Sequence, residues 1–268
     1  MPNTKTTMQL GKDILEQTAL RGEPITACRV IDTHAHIGSQ SPFPIYDSSP
    51  EGMLAAMDRM GVRTMCVSSI LTLTASMERG NDDTIAAVAK WPGRFWGYSI
   101  VDPARPEALE AELARCLATG LGGIKIHSYR NLPYNHENYT PVYRFAAAHH
   151  LPVLAHTEEV ELDAIEPVLD AWPTVPFLLA HAGCLSPEKH ARLAETYANA
   201  YLELCVSQCP RGLLEYFVGR GLATKLLYGT DTPLIMGEHQ LGRVIFADIS
   251  LEDKCLILGG NAQRVLGL

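Results

Sequence analysis

From Val30 onward, eight short runs of apolar and β-branched residues recur at intervals of roughly 25–35 residues, the length that one parallel crossover unit needs. They are VIDTHAHI, TMCVSSI, RFWGYSIV, GGIKIHS, LPVLAHT, VPFLLAH, AYLELCV and KLLYGTD. Helical patterns bounded by Gly, Pro and Asp fall between them, near 50–60, 77–90, 105–119, 139–149, 162–171, 187–198, 210–220 and 239–247. Eight such units predict a closed (β/α)8 TIM barrel of the α/β class. An open doubly wound sheet would carry fewer strands or a second domain. Residues 1–268 are therefore expected to form a single barrel domain, with 1–28 as an N-terminal extension and 250–268 as closing helices. No Gly-rich phosphate loop follows the first strand, which removes the main reason to expect a nucleotide fold.

Composition narrows the partners. With 22 basic against 30 acidic residues the net charge is −8, so the chain lacks the positive footprint of a nucleic-acid binder. No apolar run approaches the roughly 20 residues that span a bilayer, and the first residues show no signal-peptide apolar region. A cytoplasmic protein with a small-molecule partner, and no membrane or nucleic-acid partner, is expected; a homodimer is left open. The seven scattered cysteines read as reduced thiols. Cys205 and Cys209 lack the matching second pair of a structural zinc site and read as strand-end thiols.

In barrels of this kind reacting groups sit at the C-terminal ends of strands and on the loops that follow. His34 and His36 share one face at the end of the first run, and Asp32 shares it by the same alternation. His127 ends the fourth run, His156 the fifth, His181 the sixth and Asp231 the eighth. Five of the ten histidines thus fall where a barrel would converge them. Neutral imidazoles with one carboxylate suit zinc and related divalent ions, and a catalytic site keeps one position open for water. The ion lowers the pKa of that water to about 7 and polarises a substrate carbonyl or carboxylate. Asp231 is placed to touch the metal, accept a proton and return it to the leaving group. The segments SQSPFPIYDSSP and YRNLPYNHENYTP are candidate pocket walls. His127, Tyr129, Arg130, Glu158 and Arg211 are candidate substrate contacts, with Ser207 nearby; the two arginines suit a carboxylate or phosphate. For each of these a capping or solvated role is an equal alternative. His136, His149, His150, His190 and His239 read as structural or surface, and Tyr98 as core or pocket floor.

Taken in order, VIDTHAHIG, GGIKIHS, PVLAHTE, LLAHAG, LLYGTDTP and ILGGNAQRVLGL resemble the amidohydrolase superfamily, within it the branch called amidohydrolase family 2, over nearly the whole chain. The resemblance implies metal ligation by His34, His36, His156 and Asp231. It makes His181 either a ligand to a second metal or a group beside the metal that orients substrate or hydroxide; Asp231 and His181 are the catalytic candidates. Lys125, on the face of His127, resembles the strand-four lysine that becomes a carbamate bridging two metals in binuclear members. The alternatives are a salt bridge to Glu203 or a hold on an anionic substrate group. An ammonium about 6 Å from a dication is repelled by roughly 5 kcal/mol at an effective dielectric of 20, so some such relief is required.

The expected activity is metal-dependent hydrolysis of a small amide, lactone or ester-like bond, with one or two zinc ions. A metal-dependent decarboxylase of a small carboxylic acid is the alternative, and a non-catalytic metabolite- or partner-binding barrel is the reading from another class.

Overall fold

The computed structural model describes residues 11–38, 44–71, 76–128, 132–206 and 208–268. Strands β1 (Val30–Ile37), β2 (Val62–Ser69), β3 (Phe95–Ile100), β4 (Gly123–Ile126), β5 (Val153–His156), β6 (Phe177–Ala180), β7 (Ala200–Glu203) and β8 (Leu226–Leu227) lie side by side in sequence order, every ladder parallel. The seam between first and last closes through Thr33 N–H to Tyr228 O at 2.9 Å, His36 N–H to Thr232 O at 2.7 Å and Asp231 N–H to His34 O at 2.7 Å. The result is a (β/α)8 barrel.

The intervening helices start and stop where local chemistry dictates. The helix Pro50–Met60 has proline at its first position, where no N–H is needed, and the Ser49 hydroxyl accepts from Gly52 N–H. It ends at Gly61, whose φ of 81° and contact with Ile25 leave no room for a side chain. Helices Met77–Lys90, Pro106–Ala118, Thr140–His149, Val160–Ala171, Pro187–Thr196, Leu213–Gly219 and Gly237–Ile245 follow in register with the expected pattern. The greatest departure is at β8. Only Leu226 and Leu227 pair with β7, because the backbone beyond them turns to β1 and to Ile257 O for its hydrogen bonds.

Ile31, Cys66, Tyr98, Leu154, Leu178 and Leu227 form an inner cluster that Ala262 and Leu266 of the last helix (Asn261–Leu266) pack against. Each fully buried leucine there contributes about 1.5–3 kcal/mol relative to exposure. Tyr98 is part of this floor, its hydroxyl donating to Thr33 O at 3.0 Å. Above it the interior turns polar. At the other end of the chain, Lys254 is buried between Asp13 and Glu16, at 2.6 and 3.0 Å, and pins the first helix (Ile14–Leu20) to the closing segment. Among the described residues no helix is long and apolar enough to cross a membrane.

Candidate active site

The register of β1 is irregular. Asp32 pairs with Met65 and Ala35 with Val67, so one extra residue is inserted. That bulge lets both Ile31 and His34 reach the interior although strict alternation would part them. Asp32 does not join the imidazoles: its carboxylate accepts from His34 N–H, Thr230 N–H and the Thr230 hydroxyl, bracing the seam. Burial pushes it up to about 8.

His34 is the hub. Lys125 Nζ lies 2.9 Å from its Nε2 and Glu203 Oε2 lies 2.7 Å from its Nδ1. An ammonium only donates, so Nε2 accepts, Nδ1 carries the proton, and Glu203 receives it. His36 stands edge-on to His34 with ring centroids 5.2 Å apart; its Nδ1 faces the Ser68 hydroxyl at 3.2 Å and its Nε2 faces Asp231 Oδ1 at 3.1 Å. His34 Nε2 is 3.6 Å from the same oxygen. Donors bound 2.0–2.1 Å from a common tetrahedral centre lie roughly 3.4 Å apart, so these three fit a divalent cation.

A second set, His34, His181 and Cys205, also brings its ligand atoms within 4.8 Å of one another. Cys205 Sγ sits 3.0 Å from His34 Nδ1, 3.3 Å from His181 Nδ1 and 2.9 Å from Glu203 Oε2. Cys209 diverges, its thiol donating to Pro210 O at 3.5 Å. His181 Nδ1 donates to Cys205 O at 2.9 Å, which leaves its Nε2 to accept from His156 Nδ1, also at 2.9 Å. His156 Nε2 is then unprotonated and faces the mouth, 4.0 Å from Glu158 Oε1. His156 belongs to neither donor set among the described residues.

Depth is graded. The His34 side chain is 1 % exposed, Asp231 12 % and His156 21 %, so any ligand enters from the Asp231–His156 side. Burial pushes the pKa values of His34, His156 and His181 down, and Lys125 raises the opposition to protonating each. Burial also lowers Lys125. For Asp231 burial raises the pKa, but the His36 hydrogen bond and the nearby imidazoles outweigh it and hold the carboxyl below its ordinary range.

His127 stacks on His156 with centroids 4.1 Å apart; its Nδ1 is buried with no partner among the described residues, and burial pushes the ring down to about 3. Glu158 lies half-exposed at the rim. Arg211 is exposed in the turn before Leu213–Gly219, and no described contact links it to the histidines. Tyr129, Arg130 and Ser207 lie outside the described residues, as do parts of both long loops. Lys125 makes no ion pair with Glu203 within 4 Å among the described residues; Glu203 serves His34 instead. Cys205, read from the sequence only as a strand-end thiol, lies at the site, and alternation from Glu203 places the two on one face.

Comparison with known proteins extends these observations. The barrel superposes on 5-carboxyvanillate decarboxylase from Novosphingobium aromaticivorans, crystallised with manganese and 4-hydroxy-3-methoxy-5-nitrobenzoic acid, with a TM-score of 0.78 at 16% identity, covering 92% of this chain and 99% of that one. Dihydroxybenzoic acid decarboxylase from Polaromonas sp. JS666, with bound manganese and the inhibitor 2-nitroresorcinol, gives 0.75 at 19% identity over 90% and 97%. A probable 2-pyrone-4,6-dicarboxylic acid hydrolase from Acinetobacter baumannii, with citric acid bound, gives 0.72 at 17% over 90% and 100%. At these identities the likeness establishes the fold. A family model described as amidohydrolase matches residues 31–268, nearly the whole chain, and the chain belongs to that family of enzymes.

Proposed function

We propose that the chain is a divalent-metal-dependent decarboxylase of a small carboxylic acid. The observation that carries the metal is the meeting of His34 Nε2, His36 Nε2 and Asp231 Oδ1 at the open end of the barrel. Lys125, a cation beside the same donors, favours an anionic substrate. The two relatives named as decarboxylases support loss of carbon dioxide. His34, His36 and Asp231 would hold the cation, and His156, outside both donor sets among the described residues, would join them only by moving its ring. A mixed nitrogen and oxygen set accepts manganese or zinc, and manganese accompanies both of those relatives. When bound, the cation supplies Lewis acidity to the substrate oxygens. Both donor sets share His34, whose Nδ1 is committed to Glu203, so one cation is favoured over a carbamate-bridged pair.

Charge matching follows from the residues. Lys125 offsets Glu203, and a dication with Asp231 leaves one positive charge beside a substrate carboxylate. His127 Nδ1, buried and without a partner among the described residues, would pair with a substrate hydroxyl. Asp231, an anion at rest, would take up a proton from solvent and pass it to the carbon bearing the carboxylate. The bond to the carboxylate then breaks, its electron pair returns to that carbon, carbon dioxide leaves, and Asp231 is again an anion.

Hydrolysis of an amide, lactone or ester-like bond is the second reading, favoured by the Acinetobacter relative; there Asp231 would accept the proton of the attacking water. Incubating manganese-loaded protein with hydroxylated benzoic acids and with cyclic esters, while following carbon dioxide and acid separately, tests the choice. Carbon dioxide release is expected. Acid production without carbon dioxide overturns it.

A further inference from the structure

Glu203 is fully buried on β7, against the His34 Nδ1, the ring nitrogen remote from Lys125 and Asp231. A carboxylate in such a place must have its oxygens satisfied. Oε1 accepts from Cys205 N–H at 2.7 Å; Oε2 accepts from His34 Nδ1–H at 2.7 Å and from the Cys205 thiol at 2.9 Å. The site is also shaped for it. A Cβ at position 229 would come 2.1 Å from Glu203 Oε1 and 3.0 Å from His34 Cβ, so only glycine lets the carboxylate reach the ring.

We propose that Glu203, admitted by Gly229, is the positioning residue that fixes His34 in the Nδ1–H tautomer and so directs the Nε2 lone pair at the cation site. The inference rests on the metal reading above for its purpose, though not for its geometry. A carboxylate on the remote nitrogen of a ligating imidazole sets the ring's orientation and strengthens its donor nitrogen. Without a cation the His34 Nε2 lone pair accepts from the Lys125 ammonium at 2.9 Å, which reports the same tautomer; a bound cation would take the place of this hydrogen bond. Cys205 acts as the clasp, giving both its backbone N–H and its thiol to Glu203.

Glutamine cannot replace this group. It fills the same volume but offers one acceptor oxygen where three donors converge, and its amide must face either Cys205 N–H or His34. If it faces His34, the imidazole has to carry its proton on Nε2, where the metal should bind.

The test is Glu203→Gln, read in metal-free protein by the nitrogen-15 spectrum of the His34 ring, with manganese affinity measured by titration. Wild type is expected to show a protonated Nδ1 and an unprotonated Nε2. The variant is expected to lose that signature and to bind manganese about 10–100-fold more weakly. Gly229→Ala keeps the charge but displaces the carboxylate, and should reproduce both effects should Glu203→Gln fold poorly; Glu203→Asp should restore the Nδ1 signal in part. A variant that folds and retains the wild-type His34 spectrum overturns the proposal. If wild type binds no manganese yet its His34 tautomer depends on Glu203, the positioning stands and the metal reading alone falls.

Discussion

His181 and Asp231 share a backbone state that side chains seldom adopt: each has φ of 60°, His181 directly after β6 and Asp231 in the segment that follows β8. The left-handed region costs a residue with a Cβ roughly 1–2 kcal/mol. Here it has a visible result. Ala180 already faces the interior cluster, so an extended His181 would point the other way; the left-handed turn brings it back to Cys205 and His156. Asp231 is turned likewise toward His36. Two of the non-glycine residues in this region thus belong to one cluster, which is where strained backbone tends to serve function.

This strain can be measured. Glycine is ordinarily worse than alanine by 0.5–1 kcal/mol within regular structure, but at position 181 the order should reverse. We expect His181→Gly to be more stable than His181→Ala by about 1 kcal/mol in urea unfolding of metal-free protein. Alanine equal to or better than glycine would remove the strain from the account.

Lys125 separates one cation from two. If it is an ammonium beside a single dication, Lys125→Met removes a repulsion, so manganese should bind more tightly while kcat/KM for the carboxylate substrate falls at least tenfold. If a carbamate on Lys125 bridges two ions, the same change should strip the metal. Metal content of the purified variant decides.

Chelation should abolish activity and lower the melting temperature, and added manganese should restore both. Ligand at 100 times its dissociation constant stabilises by about 2.7 kcal/mol. His36→Ala, which removes a donor facing Asp231, should lose this dependence on manganese.

His190, away from the cluster, makes a pH prediction. It is buried, its Nδ1 donates to Ser186 O at 2.9 Å, and burial pushes its pKa down to about 4. The folded state therefore favours neutral imidazole. Its stabilisation is fully present above pH 6.5, the ordinary value, and is lost as pH falls toward 4. Wild type should lose up to about 3 kcal/mol more than His190→Gln over that interval. Parallel stability curves would refute it.

Much of this was legible in the sequence. The eight strand runs and the helices between them follow from periodicity, and the pair His34 and His36 follows from alternation. The inward turn of His181 was not, because its parity with Ala180 argues against it until the backbone leaves the extended region. The bulge that separates Asp32 from the histidines is likewise a register event, invisible without the neighbouring strand. Glu203 entered only as a partner for Lys125, since nothing in one strand tells which imidazole across the barrel a buried carboxylate will meet. Gly229 carries the missing clue, but only once β8 is laid beside His34.

The most direct measurement is anomalous diffraction at the manganese edge from crystals grown with manganese. One peak within bonding distance of His34 Nε2, His36 Nε2 and Asp231 Oδ1 is the predicted result. A peak at His181 and Cys205 instead, or none at the barrel mouth, would contradict the account.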